Sequence, residues 1–441
     1  MHSPAPFSPS LLLTLGFAAL LALQLLVRLW LNARQVRHVA RHRAAVPAPF
    51  AQRITLAAHQ KAADYTLAKA RTGLLDMAVS TALLLGWTLL GGLDALHQWL
   101  LSWLGAGLHQ QLALLAGFAL VSGLAGLPLS LYQSFVVEQR FGFNKLTPGL
   151  WLADLLKSTL VAAVIGLPLA ALVLWLMASA GGLWWLWAWA VWAGFNLLLM
   201  WLYPTVIAPL FNRFEPLQDE SLRARVSALM RRCGFAAKGL FVMDGSRRSA
   251  HANAYFTGFG SAKRVVFYDT LLKQLSPAEV EAVLAHELGH FKHRHIAKRL
   301  AGLFALSLAA LALLGWLSQQ PWFYAGLGVL PSLELLLPGS RGLAGNEALA
   351  LLLFLLAAPV FSFFLGPVMS HFSRRDEFEA DAYAAAQADG GALASALLTL
   401  YEDNASTLTP DPAYAAFHYS HPPAIERLAR LPAPVPAPHA P

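Results

Sequence analysis

The chain has 441 residues, which is too many for one ordinary domain, and 57% of them are hydrophobic against only 13% charged. Because the apolar residues lie in long runs, this composition excludes an ordinary soluble globular protein and predicts a membrane protein with several spans. The net charge of +8 would suit a nucleic-acid ligand, but the basic residues cluster between the apolar runs, and the single cysteine, Cys233, excludes an intramolecular disulfide.

Seven apolar segments are long enough to be membrane helices. In chain order they are residues 11–31, 73–93, 112–131, 158–177, 183–202, 300–317 and 347–367. Residues 33–72, between the first two, are rich in arginine and lysine, so the positive-inside rule places this loop on the cytoplasmic side. A nucleic-acid-binding arm is the alternative explanation of the same charges. Seven spans put the N-terminus outside and the C-terminus inside.

The polar parts of the chain divide it into five regions. They are the first five spans with the basic inner loop (1–207), a catalytic region (208–299), the last two spans (300–368), a second catalytic region (369–430) and a proline-rich tail expected to be disordered (431–441). With seven spans, both catalytic regions lie on the same inner side, where they can form one site. The first is predicted to contain an amphipathic helix over 221–232, strands over 240–243 and 264–268, and an edge strand over 253–258.

Residues 276–299 are predicted to form one helix that is joined almost directly to the sixth span. Ser276 can cap its N-terminus, Pro277 suits the first helical position, and Glu279 completes a capping box three residues after the cap. Apolar residues recur at helical spacing along the same stretch, which gives the helix a face to bury.

This helix carries an H-E-x-x-H motif formed by His286, Glu287 and His290. Two histidines four residues apart point the same way from consecutive turns, so their imidazoles can hold one metal ion. Glu287 lies about 100° around the helix from His286, which suits a base that takes a proton from water at the metal. The alternative is a charged helix face with two hydrogen-bonded histidines.

Catalytic zinc usually has three protein ligands and one open position, so a third ligand is needed. On the same helix, His293 is too far along the axis from His286, and His295 is expected to point to the opposite side. Glu377 and Asp381 are better candidates because they lie four residues apart on a predicted helix after the last span. One carboxylate can bind the metal while the other orients a liganding histidine.

The acidic run around this pair allows a second interpretation. Asp376 and Glu379 flank Glu377, but we expect them to point away from the metal. A charge-rich first turn is common in solvated helices, because carboxylates are stabilised at the positive end of the helix dipole. The residue pattern alone does not decide between a metal ligand and such a helix start.

Several independent motifs share one resemblance. They are H-E-L-G-H at 286–290, E-F-E-A-D at 377–381, H-Y-S-H-P-P at 418–423, and the segments 138–145, 211–217 and 245–258. Together they resemble the type I CAAX prenyl endopeptidases, which are integral-membrane zinc metalloproteases of the gluzincin type, and the likeness spans about residues 70–430. It implies a mainly α, polytopic membrane protein with about seven transmembrane helices around a chamber. A small α/β zinc metalloprotease domain would lie on the cytoplasmic side.

The resemblance also implies roles for eight residues. These are the ligands of one zinc ion (His286, His290 and Glu377), a general base (Glu287), an oxyanion-stabilising residue (His421), a carboxylate beside the ligands (Asp381), and substrate-binding residues (Asn253 and Arg427). A donor placed where negative charge develops stabilises the transition state by an amount of order 3 kcal/mol. An extended peptide that adds to an exposed strand edge has its scissile bond held in register. Without the resemblance, His421 fits a turn before Pro422 and Asn253 fits a polar loop.

The sequence therefore predicts a zinc-dependent membrane endopeptidase that hydrolyses peptide bonds with metal-activated water. The resemblance implies prenylated C-a-a-X proteins as substrates, from which the last three residues are removed. Alternatives are a quality-control protease for membrane proteins and a transporter or scaffold with structural zinc, although the intact Glu287 argues against the latter.

The same prediction extends to partners and location. Expected partners are a peptide or protein substrate, with lipidated proteins as one class, and membrane lipid, but no nucleic acid. The expected location is the inner or plasma membrane if the protein is bacterial and the endoplasmic reticulum membrane if it is eukaryotic. The catalytic regions would be cytoplasmic and the N-terminus outside.

Overall fold

The computed structural model describes residues 8–235, 239–257, 264–332 and 345–432, and over these residues the chain is mainly α-helical. In chain order the helices are α1 (Pro9–His42), α2 (Leu56–Trp87), α3 (Gly92–Leu104), α4 (Leu108–Tyr132), α5 (Pro148–Ser179), α6 (Trp184–Leu202), α7 (Ala208–Phe211), α8 (Glu220–Arg232), α9 (Asp269–Gln274), α10 (Pro277–Lys292), α11 (His295–Leu317), α12 (Pro321–Gly326), α13 (Glu347–Ser362), α14 (Gly366–Gln387), α15 (Gly390–Asp403), α16 (Pro412–His418) and α17 (Ala424–Leu428).

Six helical segments of the described chain are long and apolar enough to cross a membrane, and a seventh is present if α2 and α3, which meet at a bend of 51°, form one span. Some of the six contain more than one helix. The span Leu108–Glu138 consists of α4 and a π-helical turn, and Gly181–Phe211 contains α6, a second π-helical turn and α7. The prediction of a mainly helical, polytopic membrane protein is confirmed.

The basic segment 33–72, expected to be a loop, is instead mostly helical. α1 continues to His42 and α2 begins at Leu56. These helix ends are polar, but they are held by the distant second catalytic region, where the Arg34 guanidinium pairs with the Asp411 carboxylate at 3.0 Å. This stretch is therefore stabilised by long-range contacts, which cannot be predicted from the local sequence.

The sheet contains four strands among the described residues. They are β1 (Phe214–Pro216), β2 (Gly239–Met243), β3 (Ala254–Thr257) and β4 (Arg264–Tyr268), in the spatial order β1-β2-β4-β3. β2 and β4 run parallel, and the outer strands pair with them antiparallel. The predicted edge strand is β3, which lies at one edge of the sheet, although its last predicted residue, Gly258, falls outside the described residues. β1 is an additional strand that the sequence analysis did not predict.

Of the hydrophobic cores among the described residues, one lies in the membrane part and one in the catalytic part. The first lies among the membrane helices and includes Phe17 and Leu353. The second lies between the sheet, α8, α10 and α15, and it includes Val280, Leu284 and Leu288 from the predicted apolar face of α10. Since full burial of such side chains contributes about 1.5–3 kcal/mol each, this face fixes α10 against the sheet.

The motif helix begins as predicted but ends earlier. The capping box is present, with the Ser276 hydroxyl accepting from the backbone N–H of Glu279 and the Glu279 carboxylate accepting from that of Ser276. The single helix predicted over 276–299 is wrong, because α10 stops at Lys292 and Arg294 takes the left-handed conformation with φ 55° before α11 starts. The chain therefore changes direction, and His295 lies beside α10 rather than on its far side.

The second catalytic region also departs from its predicted boundaries. α14 was expected to follow the last span, but it starts at Gly366, before the predicted end of that span at residue 367, and follows α13 after only a short 3-10 turn. The chain thus passes from the last span into the carboxylate-bearing helix without a loop. The proline-rich tail is expected to be disordered, and from residue 433 onward it lies outside the described residues.

Candidate metal centre and active site

The structure brings three of the predicted ligands together from two helices. The Nε2 atoms of His286 and His290 on α10 are 3.2 Å apart. The Glu377 carboxylate on α14 lies 3.4 Å from the first nitrogen and 3.3 Å from the second. These groups can hold a metal ion, and their assignment as ligands remains a prediction.

Gly289 lets the two helices approach closely enough to form this cluster. A Cβ atom at this position would lie 2.9 Å from the Cα and 3.0 Å from the carbonyl oxygen of Ala380, which are backbone atoms of α14. Real Cβ atoms essentially never come within 3.0 Å of such atoms. The glycine of the H-E-L-G-H sequence is therefore a packing requirement, and it sets the distance between the histidines and Glu377.

The residues present fit a zinc ion. Zinc binds imidazole nitrogen and carboxylate oxygen at about 2.0–2.2 Å in a tetrahedron, whose vertices then lie about 3.3 Å apart. The two imidazole nitrogens are 3.2 Å apart, and each lies at a similar distance from one of the two Glu377 oxygens, 3.4 Å from Oε2 for His286 and 3.3 Å from Oε1 for His290, which is close to that spacing. In addition, Glu377 Oε2 is buried and has no hydrogen-bond partner among the described residues, as expected for an atom that faces a cation.

Asp381, one helical turn after Glu377, holds the other nitrogen of His286. Its carboxylate lies 2.8 Å from His286 Nδ1 and accepts two hydrogen bonds from the Arg427 guanidinium, at 2.8 Å from Nε and 2.5 Å from Nη2. Arg427 is only 6% exposed and its Nη1 is also 4.0 Å from Glu377. Its geometry therefore suits the positioning of Asp381, while its predicted contact with substrate remains untested.

The charged neighbours also control protonation of His286. Burial lowers its pKa, but the neighbouring carboxylates of Asp381 and then Glu377 outweigh burial and raise the pKa to about 9. A protonated imidazole has no lone pair for a metal, so metal binding here must displace a proton.

Glu287 lies on the same turn as the histidines and is free to act on water. Among the described residues, none donates a hydrogen bond to its carboxylate or pairs with it. Burial raises the pKa of Glu287, and the nearby His286 and His290 oppose that effect. A carboxylate of raised basicity beside a cation site has the properties of a general base.

His421 approaches the cluster from the turn before α17. Its Nε2 is 3.5 Å from Glu377 Oε1, and its Nδ1 is 3.0 Å from the Ser420 hydroxyl. The side chain is 64% exposed because it faces a cavity. The surrounding protein nevertheless lowers the pKa of His421 by desolvation, with a smaller opposing effect from Glu377, so the neutral imidazole is favoured near pH 7.

A cavity of about 960 Å³ extends from this site towards the membrane helices. His421, Arg427 and Asn253 line it on the catalytic side, and Arg28 and Lys69, from α1 and α2, line it on the membrane side. Three of the eight predicted site residues therefore line this cavity. The other five lie at the metal cluster: His286, Glu287, His290, Glu377 and Asp381.

Asn253 directly precedes the edge strand β3. Its carbonyl oxygen accepts a hydrogen bond from Tyr268 on β4 at 3.0 Å, so the inner edge of the strand is paired. The outer edge of β3 has no strand partner among the described residues. This arrangement permits, but does not test, addition of an extended peptide.

The sequence analysis missed the network that holds this strand against the membrane helices. Glu138, which lies beyond the predicted span 112–131 and ends the observed span Leu108–Glu138, accepts from the Tyr65 hydroxyl at 2.7 Å and lies 3.8 Å from His251. The His251 ring stacks on Phe143 at 4.2 Å, and its Nδ1 is 3.1 Å from Asn404. The segment 138–145 was noted only for its resemblance, because nothing local links it to residues more than a hundred positions later.

Comparison with known proteins gives two consecutive family matches. Residues 35–213 match the family described as CAAX prenyl protease N-terminal, five membrane helices. Residues 216–435 match peptidase family M48. The two matches meet where the last helix of the first membrane part leads into β1, so the membrane and catalytic parts each have relatives.

Curated relatives and a solved structure are similar along most of the chain. The CAAX prenyl protease 1 homologue of Oryza sativa subsp. japonica is 37% identical, covering 73% of this chain and 72% of its own length. That of Homo sapiens is 31% identical, covering 94% and 95%. The crystal structure of S. mikatae Ste24p has a TM-score of 0.85 and 29% identity, covering 95% of this chain and 98% of its own.

Proposed function

The chain belongs to the CAAX prenyl protease branch of peptidase family M48 and is a membrane metalloendopeptidase, and on that premise we propose that it uses one zinc ion, held by His286, His290 and Glu377, to cleave lipidated proteins near their C-terminus. The observation that carries the proposal is the cluster of two imidazole nitrogens and one carboxylate, close enough together to hold one ion, beside the large cavity that His421 and Arg427 line. Membership of a peptidase family sets aside the non-catalytic scaffold.

The donor set favours zinc over other abundant divalent cations. Magnesium and calcium prefer oxygen ligands, whereas two imidazoles and one carboxylate are typical of catalytic zinc with one open position. When bound, zinc would polarise a peptide carbonyl and lower the pKa of water at that open position.

Glu287 is the proposed general base. Its carboxylate has no competing donor among the described residues, and burial raises its pKa, so it can accept a proton from water and later return it to the leaving amine. His286 cannot act as the general base in place of Glu287. One of its nitrogens contacts the Asp381 carboxylate and the other faces His290 in the ligand cluster.

His421 is the proposed oxyanion donor. It is exposed to the cavity and lies 3.5 Å from Glu377, and its favoured neutral form still carries one N–H. A donor at that place stabilises the negative charge that develops on a peptide carbonyl oxygen. Arg427 borders the same cavity, and we propose that it acts indirectly by fixing Asp381, which in turn holds His286.

Asn253 and β3 are the proposed peptide-binding edge. The outer edge of β3, which has no strand partner among the described residues, offers backbone groups to an extended substrate, and the neighbouring Asn253 lines the cavity. Main-chain pairing binds many sequences and fixes register, so a separate feature must select the substrate. We propose that a C-terminal lipid supplies this selection, as the names of the relatives suggest for those proteins.

The base and the substrate class can be tested with one preparation. The full-length protein in detergent is incubated with a farnesylated C-a-a-X peptide and with the same peptide carrying an unmodified cysteine. We expect release of the C-terminal tripeptide from the farnesylated peptide and at least tenfold slower release from the other. Equal rates would reject lipid selection while leaving the protease assignment intact.

Glu287→Gln tests the catalytic role in the same assay. It should retain zinc and reduce cleavage by a factor of at least about 100, since general base catalysis contributes about 10²–10⁴-fold. Glu281→Gln is the matched control, because Glu281 lies on the same helix but pairs with Arg225 and Arg232 at the surface. Unchanged cleavage by Glu287→Gln would contradict the proposed base.

A further inference from the structure

The second imidazole of the metal cluster has an unexpected partner. His290 Nδ1 lies 3.0 Å from His295 Nδ1, and their rings meet edge to face with centroids 5.2 Å apart. His295 is only 1% exposed, although it is the first residue of a membrane helix. A polar side chain buried so completely is expected to be fully hydrogen-bonded, so His295 Nε2 should also have a partner.

That nitrogen faces carboxylates of α14. His295 Nε2 is 3.1 Å from Glu379 Oε2 and 3.6 Å from Asp376 Oδ1. Both carboxylates are also paired with arginines, since Arg375 lies 3.2 Å from Glu379 and Arg299 lies 2.8 Å from Asp376. Although these three groups are close enough to hold a second cation, the arginines already balance the carboxylates, so the arrangement favours a hydrogen-bonded chain over a second metal site.

The break between α10 and α11 is what creates this contact. In a continuous helix, residues 290 and 295 would lie about 140° apart around the axis and could not meet. Arg294, with φ 55°, turns the chain so that α11 begins with His295 against His290. The left-handed conformation is unfavourable for a non-glycine residue, so it is kept where surrounding contacts hold it, and such positions cluster at functional sites.

The tautomers follow once His290 Nε2 is assigned to the metal. A neutral imidazole that ligates through Nε2 carries its proton on Nδ1. His290 Nδ1–H then donates to His295 Nδ1, which leaves the His295 proton on Nε2, and this N–H donates to Glu379 Oε2. Each imidazole nitrogen in this series of hydrogen bonds then has one partner, and every N–H faces an acceptor.

We propose that His295 is a positioning residue for the metal ligand His290, with Glu379 anchoring its far side. The inference deepens the proposed function and rests on the metal site formed by His286, His290 and Glu377. The two liganding histidines are then supported differently, since His286 contacts the carboxylate of Asp381 directly, whereas His290 reaches its carboxylate through a second imidazole.

The test measures metal binding in the full-length protein rather than cleavage alone. His295→Phe keeps the ring volume and removes the acceptor, and it should weaken zinc affinity by about 10- to 100-fold, as expected for the loss of such a partner. His295→Asn places an oxygen near the position of Nδ1 and should recover most of the affinity. His293→Phe is the matched control, because His293 stacks on His295 at 5.6 Å but does not contact His290 among the described interactions.

Zinc affinity is measured by competition with a chromophoric chelator, and the Co²⁺-substituted proteins give absorption spectra that report the ligand geometry. We expect an altered Co²⁺ spectrum for His295→Phe and a wild-type spectrum for His293→Phe. Glu379→Gln, at a partly exposed position, provides a variant that does not disturb the core, and it should lower affinity in the same direction by a smaller factor.

Two outcomes separate this inference from the proposed function. If Glu377→Ala retains wild-type zinc affinity, the metal site itself is wrong. If Glu377→Ala loses zinc but His295→Phe and Glu379→Gln both keep wild-type affinity and Co²⁺ spectra, the metal site stands and the positioning role of His295 is rejected. Loss of affinity in His295→Phe without recovery in His295→Asn, together with an unaffected Glu379→Gln, would also reject it.

Discussion

Charge balance at the metal cluster is decided by four buried or partly buried residues. Glu287, Glu377 and Asp381 contribute three negative charges and Arg427 contributes one positive charge, so −3 + 1 leaves −2 when all are ionised. An uncompensated buried charge is costly, and without a metal protonated His286 offsets only one of these two negative charges. One divalent cation brings the sum to zero, which is an argument for the metal that is independent of the ligand distances.

Without a metal, the same residues make stability depend on pH. The pKa of His286 is raised from 6.5 to about 9, so protonated His286 stabilises the folded protein fully below pH 6.5. This contribution is lost as the pH rises through 9. We expect the unfolding temperature of the chelator-treated protein in detergent to fall between pH 7 and pH 9.5.

His286→Gln, which cannot titrate, is the comparison for this effect. The chelator-treated variant should show a smaller fall over the same range, and zinc-loaded wild-type protein should show none from this residue. A wild-type unfolding temperature that rises from pH 7 to pH 9.5 would show that His286 is not held as a cation by Asp381 and Glu377.

The residues of the site differed in how far the sequence could reveal them. His286, Glu287 and His290 follow from spacing on one helix, because four residues correspond to about one turn. Glu377 was left undecided by the residue pattern and came from resemblance, since its partner lies about ninety residues earlier. The predicted direction of His295 was wrong because the prediction assumed one straight helix. Nothing in the local sequence indicates the left-handed conformation of Arg294.

At the scale of elements, the site depends on the contact between α10 and α14. The two helices touch at Gly289 and Ala380, where a Cβ atom would meet backbone 2.9–3.0 Å away. Backbone cannot rotate aside as a flexible side chain can, so any larger residue must separate the helices. Such a separation would lengthen the distances from both histidines to Glu377.

Gly289→Ala should therefore impair metal binding more than its small size suggests. Alanine favours the helical conformation over glycine by about 1 kcal/mol, so α10 alone would gain stability. The helix separation should outweigh this gain, lowering zinc affinity by about tenfold or more and lowering the unfolding temperature. Metal titration and thermal unfolding measure the two effects.

Gly302→Ala is the control for the glycine substitution. Gly302 lies within α11, and nothing is found within 4 Å of a Cβ atom placed there. It should keep zinc affinity and, through helix propensity, lose no stability. If Gly289→Ala binds zinc as tightly as Gly302→Ala, close packing of α10 on α14 is not what sets the ligand geometry.

Elements were predictable to the extent that their signals are local. The cap of α10, the amphipathic α8 and the strands β2 and β4 carry such signals and are present close to their predicted positions. The polar end of α1 and the segment that leads into α2 do not, because they are held by contacts such as Arg34 with Asp411 and Arg53 with Glu279. Those partners lie hundreds of residues apart, beyond the reach of any sequence window.

At the scale of the whole molecule, the membrane helices and the catalytic parts line the same cavity. α1 and α2 contribute to the cavity wall and also contact α16 and α15 respectively. α11 follows the motif helix α10 as a span, and α14 continues from the last span into the catalytic part. The metal cluster is therefore attached to the membrane part on several sides. This arrangement requires both catalytic regions to lie on the same side of the membrane, which two spans between them, α11 and the one that begins at Glu347, allow.

The orientation of this arrangement can be checked with single cysteines in the full-length chain. Cys233→Ser removes the native cysteine, and Ala44→Cys, Ala106→Cys and Gly182→Cys each place one thiol at an exposed position between helices. The variants are expressed in the inner membrane of a bacterial host whose outer membrane admits the reagent. Because the basic ends of α1 and α2 favour the inner side, Ala106→Cys and Gly182→Cys should react there with a membrane-impermeant maleimide on intact cells. Ala44→Cys should react only after the cells are opened. Zinc content of each variant verifies folding, and labelling of Ala44→Cys on intact cells would reverse the predicted topology and place the metal centre outside.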